Sequence, residues 1–361
     1  LVHNPAAYIY PKNNILFTCS GYDIDRKISE RKAIMEWIER FSAFSPIDTT
    51  HHLIKYSPLN TTSNNISIPI NPSYYSILNK ENIPQILAYC VNQDTCTFLP
   101  AEYFFLLNIK KYKPSLNYLN SIGCAAHLNP ILAANSAILE LIERDALMRL
   151  WFFQYIPQAY ISDDILQDTD IDISMLNLED YTLKILKIQA HDGFVTLSLM
   201  LGKNENIKPY YFFWSWCSMN EYESIKKSII ELISNFQNNY LYAYAKINIK
   251  IDQIHDPGDH YIYYSNYSTF KNLSFLNSLE NENIDIPKKS QAFPKIELIT
   301  GNYYLVNITP HFVFMKGIFV MRAYSPQLQN MYFWLNTLRI IPSIDIKDIH
   351  PSVFTMPHPF S

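Results

Sequence analysis

The stretch from Asn129 to Leu150, NPILAANSAILELIERDALMRL, constrains this chain more than any other. Asparagine is a favoured N-cap and proline is pre-set for the first helical position, so Asn129-Pro130 predicts the start of a helix. Along it Ser136, Glu140, Glu143, Arg144 and Leu147 recur at three- and four-residue spacings on one face, with Ile131, Ile138, Leu141, Ile142 and Ala146 supplying apolar contacts on the other sides. Taken alone, Glu140 and Arg144 would read as an exposed pair worth about 0.3–0.5 kcal/mol, with Glu143 in solvent. A second stretch changes that balance. In Arg26 to Phe44, RKISERKAIMEWIERFSAF, Glu36, Glu39 and Arg40 repeat the spacing of Glu140, Glu143 and Arg144. The repetition predicts two helices that present their charged faces to one shared site.

Four carboxylates and two arginines have a definite chemical use. Carboxylate oxygens are hard ligands for magnesium, which bridges phosphate oxygens, while arginine hydrogen-bonds phosphate through two nitrogens. That set suits a nucleoside triphosphate. Neither GxxxxGK[ST] nor GxGxxG occurs, and only seven glycines are present, so a glycine-rich phosphate cradle is excluded. A nucleotide site here is formed between helix faces.

At these residues the sequence resembles a known family. Ser121 to Trp151, SIGCAAHLNPILAANSAILELIERDALMRLW, is similar to the central motif of YcaO-type proteins, a Gly-x-Ala-x run followed by Sx3Ex2ERDA, which Ser136, Glu140, Glu143, Arg144, Asp145 and Ala146 match. Gly21 to Ser42 resembles the family's first nucleotide motif at Glu36, Glu39 and Arg40. It departs at Lys32, where serine is usual, and at Gly21-Tyr22-Asp23, where Gly-Lys-Gly is usual. Ser224 to Asn235 resembles a third helical motif, with Glu231 at the family's glutamate and Ser234 where glutamine is usual. Asp256 to Leu276 and Gly317 to Gln329 are also similar to family segments and bring in His260 and Arg322 as secondary candidates.

The resemblance implies an α+β, YcaO-type fold with β-sheets packed by helices. It implies ATP and Mg2+ as cofactors, with Glu36, Glu39, Glu140 and Glu143 as metal ligands. Ser136, Arg40, Arg144, Glu231 and Arg322 would contact the nucleotide, and where the first motif departs from the family Lys32, or Lys27, would supply the missing charge. The final residues MPHPFS resemble the proline-rich tail of azoline-forming members, so Pro357 and Pro359 would thread inward and present Ser361, whose carboxylate would act as a base. From sequence alone Pro-x-Pro reads equally as a stiff, extended terminus. The implied activity is an ATP-dependent cyclodehydratase of ribosomal peptide and bacteriocin biosynthesis that converts Cys, Ser or Thr residues to thiazolines or oxazolines. The same family includes thioamide- and amidine-forming members, and a degenerate, non-catalytic scaffold subunit is the reading from a different class. Expected partners are a precursor peptide, a subunit that binds its leader, a flavin-dependent azoline dehydrogenase and further copies of the chain in an oligomer.

Composition fits a globular chain. Its 361 residues allow one large domain or two ordinary ones. We read a single domain over 1–361 with two pseudo-equivalent halves, about 1–115 with loops from 200–330 and about 116–238, and a proline-containing tail over 345–361. A net charge of −4 without a basic stripe disfavours nucleic acid, and no apolar run approaches a membrane span. Cys19, Cys90, Cys96, Cys124 and Cys217 form no CxxC pair and leave one over, which favours a reducing cytoplasm. Cys124 reads as a small core residue, and His127, His260 and His358, isolated in sequence, read as structural. Adjacent His51 and His52 make a poor metal pair.

Turn signals and apolar runs predict strands and loops over Pro46 to Pro114, including IPQILAYCV and PAEYFFLLNI. Strands are expected at YTLKILKI and FVTLSLML around an Asp192-Gly193 turn, then at KPYYFFWSWCS, leading into a helix over Glu221 to Phe236. Asn239 to Gln291 is polar and asparagine-rich and reads as a long loop or partner-facing insertion. Strands near Glu297 to Val306 and Ile318 to Ala323 precede a helix-like stretch and the tail.

Overall fold

The computed structural model describes residues 6–9, 17–21, 23, 25–45, 52–57, 83–105, 121–160, 169, 171, 178–254, 257–277, 283–285, 287, 300–332, 340–341 and 343–360. The pair β1 (Ala6–Ile9) and β2 (Phe17–Ser20) leads into α1 (Arg26–Phe44). Next come β3 (Ile54–Ser57), β4 (Ile83–Cys90), β5 (Thr95–Pro100) and β6 (Cys124–His127), then α2 (Pro130–Phe153). The strands β7 (Gln158–Tyr160), β8 (Tyr181–Ile188), β9 (Phe194–Gly202) and β10 (Tyr211–Ser218) precede α3 (Glu221–Ala245), and α4 (Pro257–Tyr264), β11 (Asn283–Ile284), β12 (Tyr304–Asn307) and β13 (Phe319–Tyr324) follow.

Two sheets result. One has six strands, ordered β3-β4-β12-β13-β6 with β5 also on β4, and the other has five, ordered β10-β9-β8-β7-β11. Strands β6 and β10 end the orders of their sheets, and α2 packs against both. Beyond its first turn, Ile138, Ile142, Leu147, Trp151 and Phe152 are fully enclosed, so most of the helix is buried and it joins the two sheets through one core. Helix α3 lies on the other face of the five-stranded sheet, where Ile225, Ile229 and Ile233 meet Ile185, and α1 packs on β6.

Local chemistry sets these elements. Asn129 caps α2 by accepting from the Ile131 and Leu132 amides, and Asp25 caps α1 by accepting from Lys27 and Ile28. Gly193, at φ 67°, makes the turn between β8 and β9 that Asp192-Gly193 predicts.

Several expectations change. Ile131 is 65% exposed and contributes no apolar packing. PAEYFFLLNI is not a strand where it is described, because Ala101–Tyr103 coils into a 3-10 turn after β5. Helix α3 runs nine residues beyond Phe236. Asn239 to Gln291 is not a loop where it is described: α3 continues through it, α4 and two short helices follow, and Tyr261, Ile262, Tyr264, Phe270 and Phe275 enter the main core. Asparagine misled there because its side chains cap and brace helices. Asn266 caps the short helix Tyr267–Phe270, and Asn239 donates to Asn235 one turn away. All five cysteines are free, and Cys124 is buried with its thiol pushed well up, first by burial.

Candidate functional site

The charged faces of α1 and α2 come together where β6 and β10 flank them. Glu39 accepts the Ala126 amide at 2.8 Å and Glu140 accepts the Gly123 amide at 2.9 Å, so one short segment receives a carboxylate from each helix. Gly123 is required there. It has φ 77°, and a Cβ would lie 2.8 Å from Leu141 Cδ2 and 2.9 Å from the Ala323 oxygen. Glu143, only 7% exposed, accepts the Ser215 hydroxyl at 2.7 Å and the Cys217 amide at 3.2 Å on β10. An exposed helix face is thereby ruled out.

Enclosure and crowding act in the same direction on the acids. Burial raises the Glu39 carboxyl well above the usual range, and Glu140 and Glu36 nearby add to it. Glu140 and Glu143 are also raised, first by burial, with Arg144 opposing in both cases. Glu231 of α3 is pushed up to about 8, first by burial; Lys32 and Lys227 pull it back, while Glu143 and Glu36 push it further. Three helices therefore contribute to one electrostatic cluster.

The arginines differ. Arg40 is held by Glu36 at 2.6 Å, yet its Nε is buried with no hydrogen-bond partner. Arg144 stands 3.9 Å from Glu143. Arg322 of β13 is buried beside Cys124 and Glu140, which offset the burial that lowers its proton affinity. Lys32 pairs with Asp23 at 2.9 Å; burial alone would raise the Asp23 carboxyl, but the Lys32 bond brings it below its usual range.

Glu36, Glu39, Arg40, Glu140, Glu143, Arg144, Glu231, Lys32 and Arg322 are thus brought together. Ser136 lies exposed one turn before Glu140, and Ser361 lies outside the described residues, as do Tyr22 and His51. Lys227, which sequence reasoning missed, was legible as the residue one helical turn before Glu231 on the same face.

The tail runs inward. Pro357, His358, Pro359 and Phe360 are all buried. Tyr264 donates to the Pro357 oxygen at 2.7 Å, Tyr211 to the Pro359 oxygen at 3.4 Å, and the Phe360 ring lies 5.5 Å from that of Phe213. His260 and His358, isolated in sequence, meet with ring centroids 4.3 Å apart and planes tilted by 32°.

The donor set fits magnesium and a triphosphate. Like-charged carboxylates are crowded in an enclosed site, and the buried Arg40 Nε is a donor awaiting an acceptor. Among the described residues no three acidic, histidine or cysteine side chains are gathered closely enough to hold an ion by themselves. Magnesium suits such a site, because it retains waters and takes phosphate oxygens beside one or two carboxylates.

The fold is shared with solved structures. The E. coli microcin synthetase McbBCD complex aligns at TM-score 0.68 and 16% identity over 99% of this chain and 96% of that one. The YcaO from Methanopyrus kandleri, bound with AMPPCP and Mg2+, aligns at TM-score 0.60 and 13% identity over 89% and 81%. A heterocyclase in complex with substrate and cofactor aligns at TM-score 0.71 and 14% identity over 95% of this chain and 50% of that one. No curated protein sequence matches the chain. No helix among the described residues is long and apolar enough to cross a membrane. The model of the YcaO cyclodehydratases, an ATP- and Mg2+-binding family, matches residues 20–292, and the chain therefore belongs to the YcaO family, with ATP and Mg2+ as its cofactors.

Proposed function

We propose that the chain is an ATP-dependent cyclodehydratase that forms thiazolines or oxazolines from Cys, Ser or Thr residues of a ribosomally made peptide. The observation that carries this reading is the convergence of both ExxER faces, with Glu231, on one enclosed site in which Arg40 retains a buried unpartnered donor. In the proposed reaction the substrate thiol or hydroxyl adds to the preceding amide carbonyl and closes the ring, the resulting oxygen is phosphorylated at the expense of ATP, and phosphate leaves as the amide nitrogen loses its proton and the C=N bond forms. Bound Mg2+ would supply charge neutralisation at the phosphates. Glu36, Glu39, Glu140 and Glu143 would hold it, and Arg40 and Arg144 would stabilise charge on the phosphoryl oxygens in transfer. Ser136, Lys32, Glu231 and Arg322 would line the nucleotide. The tail would deliver at Ser361 the base that moves the amide proton; the burial of Pro357 to Phe360 supports that route.

An E. coli microcin synthetase complex similar to this chain is also solved with pro-MccB17 bound, which supports a peptide substrate and a partner subunit here. We extend the proposal to a leader-binding subunit and a flavin-dependent dehydrogenase. The test is mass analysis of the peptide after incubation with ATP, Mg2+ and partner. Water loss is expected with the parent, and its disappearance in Glu140→Ala. Persistent turnover by Glu140→Ala would refute the site assignment, and gain of sulfur in place of water loss would move the chain to thioamide formation.

A further inference from the structure

The tail is held by more than proline stiffness. His358 lies between its two prolines, fully buried, and both ring nitrogens are engaged. Nδ1 faces the Phe360 amide at 3.3 Å and Nε2 faces the Tyr332 carbonyl oxygen. An amide N–H can only donate and a carbonyl only accept, so Nδ1 is the acceptor and Nε2 carries the proton. One neutral tautomer satisfies both contacts. Burial first, and the His260 ring second, hold the proton affinity of His358 well below the usual histidine range, with Arg144 acting in the same sense. His260 completes the fixture, its Nδ1 lying 3.3 Å from the His358 carbonyl oxygen.

The direction that results follows one face of β10. Tyr211, Phe213, Ser215 and Cys217 alternate onto that face. Tyr211 meets Pro359, Phe213 meets Phe360, and Ser215 and Cys217 hold Glu143. Successive contacts on a strand face are about 6.8 Å apart. Phe360 therefore stands one strand position short of the residue that binds Glu143.

We propose that His358 is a positioning residue: with Nε2 donating to Tyr332, Nδ1 is left as the acceptor of the Phe360 amide, and that contact aims the tail at Phe360 along β10 at the acidic cluster. The inference rests on the cyclodehydratase reading for its consequence, but its geometry is testable without turnover. The contact from a side chain to the amide two residues on is the one asparagine makes in an Asx turn. His358→Asn should keep this acceptor and lose the Tyr332 anchor. His358→Gln can reach Tyr332 but places no acceptor at Nδ1, and His358→Phe retains volume and neither contact.

The experiment measures hydrogen exchange of the Phe360 amide by NMR, calorimetric affinity for Mg-ATP and peptide-dependent kcat in the parent and the three variants, with melting temperature as the control for folding. Phe360 protection is expected to persist in the parent and His358→Asn and to fall at least about tenfold in the others. Turnover should follow it, within about threefold of the parent for asparagine and down at least about tenfold for glutamine and phenylalanine, with nucleotide affinity unchanged. Equal exchange in all four proteins overturns the proposal. So does parent-like turnover in folded His358→Gln, or a loss of turnover that tracks melting temperature alone. If the parent itself binds no nucleotide and dehydrates no peptide, the functional reading fails, and exchange at Phe360 still decides whether His358 aims the tail.

Discussion

Helices α1 and α2 carry the same ExxER residues at the same spacing and hold them differently. On α2 both carboxylates are fastened to neighbouring strands or their approach, Glu140 to Gly123 and Glu143 to Ser215 and Cys217. On α1 Glu39 is fastened in this way, to Ala126, while Glu36 pairs with Arg40 one turn along its own helix and that pair remains partly exposed. A carboxylate already ordered loses little side-chain entropy when a cation arrives. The partly buried Glu36–Arg40 pair lies within one helix and can exchange partners, and the exchange would release Arg40 to a phosphate. One repeated motif can thus supply a rigid wall on one side of a site and an adjustable one on the other.

The largest effect should separate the two walls directly. Glu143→Ala leaves the Ser215 hydroxyl and Cys217 amide buried without their acceptor, at about 1–3 kcal/mol for each group left unsatisfied. Glu36→Ala breaks a partly exposed pair with Arg40, a contact worth below about 1 kcal/mol. Urea unfolding of the two variants should therefore show a loss several times larger for Glu143→Ala. Equal losses would break the distinction between a fixed and an adjustable side.

A smaller effect lies between the walls, at Glu231, which is affected by Lys32 on α1 and Glu143 on α2. Its carboxyl is raised from 4.5 to about 8, so the folded chain binds this proton more tightly than the unfolded chain. The stability that the proton contributes is complete below about pH 4.5 and is lost as pH rises through about 8. Glu231→Gln keeps the neutral form at every pH. Its melting temperature should match the parent at pH 5 and exceed it by a few degrees at pH 9, and a parallel course of the two curves would count against a neutral Glu231. Bound cation favours the ionised acids, so Mg-ATP binding near pH 7 should release protons, measurable as a binding heat that varies with the buffer.

Much of this was legible in the sequence because short-range chemistry wrote it. The Asn129-Pro130 cap, the extent of α1, the Asp192-Gly193 turn and the echo of Glu36, Glu39 and Arg40 in Glu140, Glu143 and Arg144 all lie within a few residues of their cause. What remained hidden depends on distant partners. That Glu143 would meet Ser215, that Tyr303 would donate to Asp192, or that the rings of His260 and His358 would meet requires the fold, because no local pattern marks these pairs. The polar run after α3 failed for the same reason. Its asparagines announce a loop by composition, but Tyr261, Ile262 and Phe270 between them recur on faces that only the core reveals.

The smallest effect concerns the first position of the shared Sx3Ex2ER spacing, where the two helices differ, Lys32 against Ser136. Lys32 is tied to Asp23 at 2.9 Å and lies near Glu231, whereas Ser136 is exposed. Lys32→Ser makes α1 like α2 at this position. If the lysine faces phosphate when nucleotide binds, its loss should weaken Mg-ATP about threefold, a modest figure because a partly exposed ammonium is screened and must first leave Asp23. Calorimetric titration checks this, and Asp23→Asn separates the alternatives. An Asp23 that only restrains Lys32 predicts tighter binding in Asp23→Asn, since the lysine is then free to meet the phosphate. Tighter binding in Lys32→Ser would instead mean that Lys32 and Asp23 form a closed pair that competes with nucleotide, and that the adjustable wall is adjusted at Arg40 alone.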